Sequence, residues 1–250
     1  MIKEAIEKIQ EMSSQTVISL GDRDFLVNGS EYTEIYPAPV YPDPLTVESL
    51  DAMVKMIIFE GLDKNQEIND GLTPLFVKVS DVGKVWCFMG PMDYENRYER
   101  PVLYVAHATD VPGWEKEVTM NFEQAMIALR TRFVSTPDTE YALTLLSQIT
   151  SGAHVTFADN GIATSIVTKK GIDLQANAMI KPIIALKPYR TFAEVDQPES
   201  LFLIRISERG ISFIEADGGM WRLTARKTIK EHLEQQLKDQ IAAGEVVVML

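Results

Sequence analysis

Nucleophiles, proton carriers and metal ligands are few in this chain, and they stand apart from one another. Cys87 is its single cysteine. It lies in the apolar run Val85-Trp-Cys-Phe-Met89, where a thiol is a buried structural group rather than a reactive one. One cysteine forms neither an intramolecular disulfide nor a cysteine-based zinc site. The three histidines, His107, His154 and His232, are far apart, and none belongs to an H-x-x-H or H-E-x-x-H pattern. No Gly-x-Ser-x-Gly elbow and no Ser-x-x-Lys pair occurs, and the phosphate cradles Walker A and Gly-x-Gly-x-x-Gly are missing as well. No acidic cluster has the D-x-[DN]-x-[DN]-G spacing of a calcium loop. The sequence therefore assigns no catalytic residue, no metal ligand and no cofactor, and it gives an enzyme no positive support.

Three stretches stand out as binding chemistry. In Leu186-Lys-Pro-Tyr-Arg-Thr-Phe-Ala-Glu-Val-Asp-Gln-Pro198, an irregular segment joins two strands and carries Tyr189, Arg190 and Phe192. An aromatic–arginine pair on a loop is the composition of an interface hot spot. The alternative is a crossover pinned by its prolines, with Arg190 paired to Glu194 or Asp196. Local basicity is the second feature: residues 161–190 hold Lys169, Lys170, Lys181, Lys187 and Arg190 against Asp173 alone, a net +4. Arg222, Arg226 and Lys230, four apart, would share one helix face. Such strips suit phosphates, and they equally suit the acidic first half of this chain or of a second copy. The third is Glu215-Ala-Asp-Gly-Gly-Met-Trp221, where Asp217-Gly218 signals a turn and Trp221 is expected to pack beneath a helix start.

The charge frames these strips. The chain's 250 residues include 36 acidic and 24 basic side chains, a net −12. All of the excess lies in residues 1–150, with 12 basic and 24 acidic, whereas residues 151–250 carry 12 of each. That total excludes a general cationic coat for nucleic acid but not a confined basic groove. The opening Met-Ile-Lys-Glu-Ala-Ile-Glu-Lys alternates charged and apolar residues, unlike the apolar core of a signal peptide. No run approaches the roughly 18 apolar residues of a membrane span. The expected compartment is the cytoplasm.

Periodicity supplies the elements that must position these residues. A helix is expected from Ile2 to about Met12, then strands at Thr16–Leu20 and Phe25–Val27, then the proline-rich connector Tyr36–Pro44. Thr46 reads as the cap of a helix striped by Leu50, Met53, Val54, Ile57 and Ile58 and stopped by Gly61. Strands follow at Leu75–Val79, Val85–Met89 and Val102–Ala106. A helical pair begins at Asn121 and at Thr136-Pro137. His154–Thr168 reads as a hairpin about Asn160-Gly161. Further strands fall at Ile183–Leu186, Leu201–Ser207 and Ile211–Glu215, and a helix runs from about Thr224 to Ala243. An apolar strand, Val246–Met249, comes last. The fold class is α+β: mixed or antiparallel sheets, a helical pair in the middle and a long C-terminal amphipathic helix. The division is 1–115 and 116–250, or one continuous domain.

From Asn121 onward the order of pieces resembles the YfdQ-like family of uncharacterised bacteriophage and prophage proteins. Four segments carry the likeness: Tyr141-Ala-Leu-Thr-Leu-Leu146, His154-Val-Thr-Phe with Asp159-Asn-Gly161, Leu186-Lys-Pro-Tyr-Arg-Thr-Phe192, and Leu201-Phe-Leu-Ile-Arg-Ile206. The resemblance implies a phage accessory protein in the host cytoplasm and brings no catalytic residues. The leading expectation is a non-enzymatic protein that binds, as a homo-oligomer, a host protein such as a defence factor. Two alternatives stand beside it. One is a recombination or replication accessory that holds single-stranded DNA with Tyr189, Arg190, Phe192, Arg222, Arg226 and Lys230. The other is a nucleotide-binding or sequestering protein. No membrane partner is expected.

Overall fold

Period-two runs rich in Val, Ile and Phe build sheets, and longer stripes at helical spacing cover them. The computed structural model describes residues 3, 8, 16–21, 23–28, 30–35, 43–62, 73–90, 100–114, 119–151, 154–159, 164–170, 173–179, 181–207 and 210–250. The chain forms two compact units, Met1–Asp43 with Pro91–Pro101, and Pro44–Gly90 with Val102–Leu250. The expected helix at 2–12 and the connector at 36–44 fall largely outside the described residues.

The first unit contains an antiparallel meander of β1 (Thr16–Leu20), β2 (Arg23–Asn28) and β3 (Glu31–Ile35). Gly21 turns β1 into β2 at φ 67°, a conformation that glycine adopts without strain. Phe25 meets Tyr32 edge-on at 6.2 Å.

The second unit opens with β4 (Leu45–Val47) and α1 (Leu50–Met56). Ser49, not Thr46, caps α1: its hydroxyl accepts from the Ala52 N–H at 3.1 Å. Thr46 lies within β4, because pairing with the strand Val102–His107 extends β4 past it. The helix continues as a π-helical turn, Ile57–Gly61, and Gly61 ends it as its sequence position predicts. A Cβ at Gly61 would lie 3.1 Å from Leu75 Cδ1 and 3.2 Å from a Tyr104 ring carbon, so the turn sits hard against the sheet.

That sheet contains β5 (Leu75–Asp81), β6 (Lys84–Phe88) and β7 (Val102–His107), in the order β14-β5-β6-β7-β4. The three central strands are antiparallel, and both flanking pairs are parallel. The strand β14 (Val246–Met249) is thus tied to β5 of its own chain. Val77, Val79, Val85, Cys87, Tyr104 and Ala106 face one core. Over them lie α1 and α4 (Trp221–Gln236), the latter inserting Ile229 and Leu233. The helix breaks at Leu237 before α5 (Lys238–Ala242), and it starts three residues earlier than its apolar stripe suggests.

A second core joins α2 (Phe122–Arg132) and α3 (Pro137–Ser151) to the antiparallel sheet of β11 (Ile183–Leu186), β12 (Ser200–Ser207) and β13 (Gly210–Glu215). Both helix starts are as the sequence signals: Asn121 and Gln124 form a capping box, and the Thr136 hydroxyl accepts from the Thr139 N–H. Gly210, at φ 129°, lets Met120 bridge to Ile211, since a Cβ there would meet the Met120 carbonyl oxygen at 2.0 Å.

The third sheet described in this unit is antiparallel, with the order β10-β9-β8, from β8 (His154–Asp159), β9 (Thr164–Lys170) and β10 (Asp173–Met179). Asp159 faces Thr164, so four residues, not two, separate the paired positions. The Asn160-Gly161 turn itself lies outside the described residues. With helices and mixed sheets of this kind the fold is α+β, with the helical pair in the middle and the long helix near the C-terminus.

Candidate functional site

The loop between β11 and β12 carries three of the six sequence-selected side chains, Tyr189, Arg190 and Phe192, and it turns Arg190 and Phe192 inward. Gln197, itself buried, holds the loop's shape: its Oε1 accepts from the N–H groups of Arg190 (2.8 Å) and Thr191 (3.3 Å). Its Nε2 donates to the carbonyls of Phe192 (3.0 Å) and Val195 (3.3 Å). The Thr191 hydroxyl donates to the Val82 carbonyl, which ties the loop to the β5–β6 turn.

Arg190 does not pair with Glu194 or Asp196. Its Nη2 lies 2.6 Å from Glu215 Oε1, with the two side chains only 5% and 12% exposed. The guanidinium stacks over the Trp221 ring at 4.4 Å and the Phe202 ring at 5.4 Å. Nη1 donates to the Ser200 hydroxyl at 3.3 Å. Burial pulls the Arg190 pKa down from its ordinary value, against the opposing pull of Glu215 and Asp217. Glu194 instead reaches α1, where its Oε1 accepts the Leu50 N–H at 2.7 Å, a charged acceptor on an otherwise orphaned helix-start donor.

The glycine pair that follows β13 is organised by the same centre. Asp217 accepts the Gly219 N–H at 3.0 Å, and it also takes hydrogen bonds from Ser200 and the Trp221 N–H. Burial works against ionisation of Asp217, but these hydrogen bonds and the Arg190 charge outweigh it, and its pKa is lowered. A depressed folded-state pKa adds stability that is present above the unfolded value and lost as pH falls through the folded one. Asp217→Asn should therefore lower the urea midpoint most above about pH 5. The gap to wild type should narrow as pH falls below the ordinary aspartate value and through the lower folded one, and a gap independent of pH would refute the assignment.

The remaining candidates are dispersed. Phe192 is 1% exposed and belongs to the α1–α4 core, so the expectation that it stacks on a base is corrected: no face of its ring is open. Tyr189 is half-buried, and its N–H donates to the Arg132 carbonyl at 2.9 Å. Arg226 donates from Nε and Nη2 to the Val79 carbonyl, at 3.3 and 3.1 Å, where the β5–β6 register shifts. Lys230 pairs with Glu234 one turn on. Arg222 is exposed, its guanidinium 4.9 Å from the Trp221 ring. Lys181 pairs with Asp138 at 3.5 Å. Of the basic residues, Lys181, Arg190, Arg226 and Lys230 are thus engaged in the fold.

Groups with reactive chemistry are engaged as well. Cys87 is buried, and burial raises its thiol pKa above the ordinary range, which makes it a poor nucleophile at neutral pH. Tyr104 donates to Glu60 at 3.1 Å, and burial, with Glu60 adding to it, raises its pKa. Among the described residues no group of three or more His, Cys, Asp or Glu could hold a metal ion. Among them, too, no helix is long and apolar enough to cross a membrane.

Apart from the strand Val246–Met249, which the sequence offered for pairing, what sequence reasoning missed is surface. A cleft of about 270 Å³ at the start of α1 is lined by Glu48, Asp51, Asp110 and Glu194. A groove of about 380 Å³ runs along α2 between Trp114, Met120 and Ile127. On the face of the central sheet away from α1 and α4, Trp86 stacks on Phe88 (6.1 Å, 14° between planes) with the Lys84 ammonium 4.2 Å from the Trp86 ring. At that sheet's edge β14 pairs with β5 alone among the described residues, and Val247 is 40% exposed. Its run Val-Val-Val-Met contains none of the charges, prolines or bulges by which exposed edges are usually blunted. The signal for this edge was in the sequence, as an apolar strand free of charge.

No family model, no curated protein and no solved structure matches this chain.

Proposed function

We propose that this is a non-enzymatic bacteriophage accessory protein that acts by binding, as a homo-oligomer, on a host protein such as a defence factor in the host cytoplasm. The observation that carries the reading is the unblunted edge of β14, a ready template for strand pairing between chains. The burial of Cys87 and the internal pairing of Arg190 with Glu215 add weight, because the chain's most chemically capable groups serve the fold. The phage setting rests on the resemblance of the segments from Asn121 onward.

A second reading, single-stranded DNA binding, draws support from a different place than the sequence indicated. Trp86 and Phe88 on a sheet face with Lys84, and Lys78 exposed beside them, have the composition of a base-stacking platform. Size-exclusion chromatography with light scattering, with and without single-stranded DNA, separates the two. The binding reading expects an oligomer whose mass DNA leaves unchanged; a monomer that also captures no host protein overturns it. The DNA reading requires a complex that weakens steeply with salt and is lost in Trp86→Ala.

A further inference from the structure

The edge of β14 has a definite hydrogen-bonding polarity. The Leu75 N–H donates to the Glu245 carbonyl at 2.8 Å, and the parallel register sets Val246 opposite Leu75 and Val248 opposite Val77. Along a strand the N–H and C=O of one residue point to the same side, and successive residues alternate. Glu245, Val247 and Met249 therefore direct their main-chain groups toward β5, while Val246 and Val248 direct theirs outward. Among the described residues no strand takes up those outward groups.

From this geometry we infer that the occupant of the edge is a second copy of this chain, whose β14 pairs antiparallel with the first across a two-fold axis at Val247. The inference rests on the homo-oligomer reading above and gives it a site. Under that axis Val246 of each copy stands opposite Val248 of the other. These are the residues whose donors and acceptors face outward, so each opposed couple exchanges both hydrogen bonds as a closely spaced antiparallel pair. An axis placed between two residues would oppose an outward residue to an inward one and lose the ladder. Val247 then meets its own counterpart at a non-hydrogen-bonded position, where Cα atoms approach to about 4.5 Å.

The side chains fit the same operator. Val246 (1% exposed) and Val248 (9%) lie on the face covered by α4 and α5, and Val247, on the opposite face, is 40% exposed. Pairing covers the Val247 side chain with its twin and leaves the helices of both copies on one side of a continuous sheet. The edge strand itself carries no charged side chain, so a second copy meets no like charge along Val246–Met249. An isologous contact of this kind is self-limiting, because each copy's edge is consumed by the other.

The test uses the full chain with two substitutions at one exposed position. Wild type should run at twice the monomer mass by light scattering at micromolar concentration. Val247→Lys, which sets like charges against each other at the axis, should run at the monomer mass and still melt cooperatively, with a midpoint that, unlike that of wild type, does not depend on protein concentration. Val247→Cys should form an interchain disulfide under mild oxidation, since the Cα separation suits one and the natural Cys87 is buried. Leu223→Cys, exposed on α4, should not. Wild type that is monomeric overturns the inference; if it still captures a host protein, the binding reading survives without it. Wild type that is oligomeric but indifferent to Val247→Lys, with no Val247→Cys crosslink, overturns the inference and keeps the homo-oligomer.

Discussion

Arg190→Ala is expected to destabilise the protein by about 3–5 kcal/mol, an effect at the upper end of what a single substitution does. The guanidinium is enclosed by Trp221 and Phe202 and paired with Glu215, itself only 12% exposed. Removing it takes the countercharge from a carboxylate held largely out of water, and that loss costs far more than an exposed ion pair contributes. Because each kcal/mol moves the thermal midpoint by roughly 2–4 °C in a chain of this size, the loss should be plain in a melting curve. The control is the double variant Arg190→Met with Glu215→Leu, which removes both charges and should recover much of the loss. Equal urea midpoints for Arg190→Ala and wild type would show that the pair contributes nothing.

The second large effect is Phe192→Ala, expected to cost about 3–5 kcal/mol of unfolding free energy. Its ring is 1% exposed within the core formed by α1, α4 and the central sheet, so truncation opens a cavity walled by several elements. The same substitution separates two roles. A residue that stacked on a base would change DNA affinity and leave stability alone; a core residue does the reverse. Urea unfolding and a DNA titration of the one variant decide between them. Arg190 and Phe192 share the loop that Gln197 braces, so the double variant should depart from additivity.

Local rules made much of the fold readable. Asn121 with Gln124 and Thr136 with Pro137 are helix starts whose chemistry is complete within four residues. The strand Val246–Met249 was legible from its unbroken apolar run. Reading failed where the partner is remote. Glu215 lies 25 positions from Arg190, nearer acids were available, and only the β12–β13 pairing brings it round. Arg226 belongs to a basic helical face by spacing, yet a carbonyl freed by a register shift in β5 claims it. The strand β10, Asp173–Met179, was missed because Asp, Gln and Asn dilute its β-propensity. Thr46 has the chemistry of a cap, but strand pairing with β7 takes precedence over the cap there. The acidic cleft is a property of assembled elements, brought together from α1, the end of β7 and the β11–β12 loop, and no single stretch of sequence carries it.

The parallel pairing of β14 with β5 also sets a timetable for synthesis. Leu75 leaves the ribosome about 170 residues ahead of Val246, a delay of roughly 10–30 s at ordinary translation rates. Throughout that interval the Leu75–Asp81 strand is itself the sheet's edge, and the core awaits Ile229 and Leu233 of α4. A nascent chain held in this way offers an apolar ladder to whatever arrives first. A pairing so remote in sequence leaves one side of β5 without its partner until β14 has emerged, so the sheet of the second unit cannot be completed while residues 82–245 are being made.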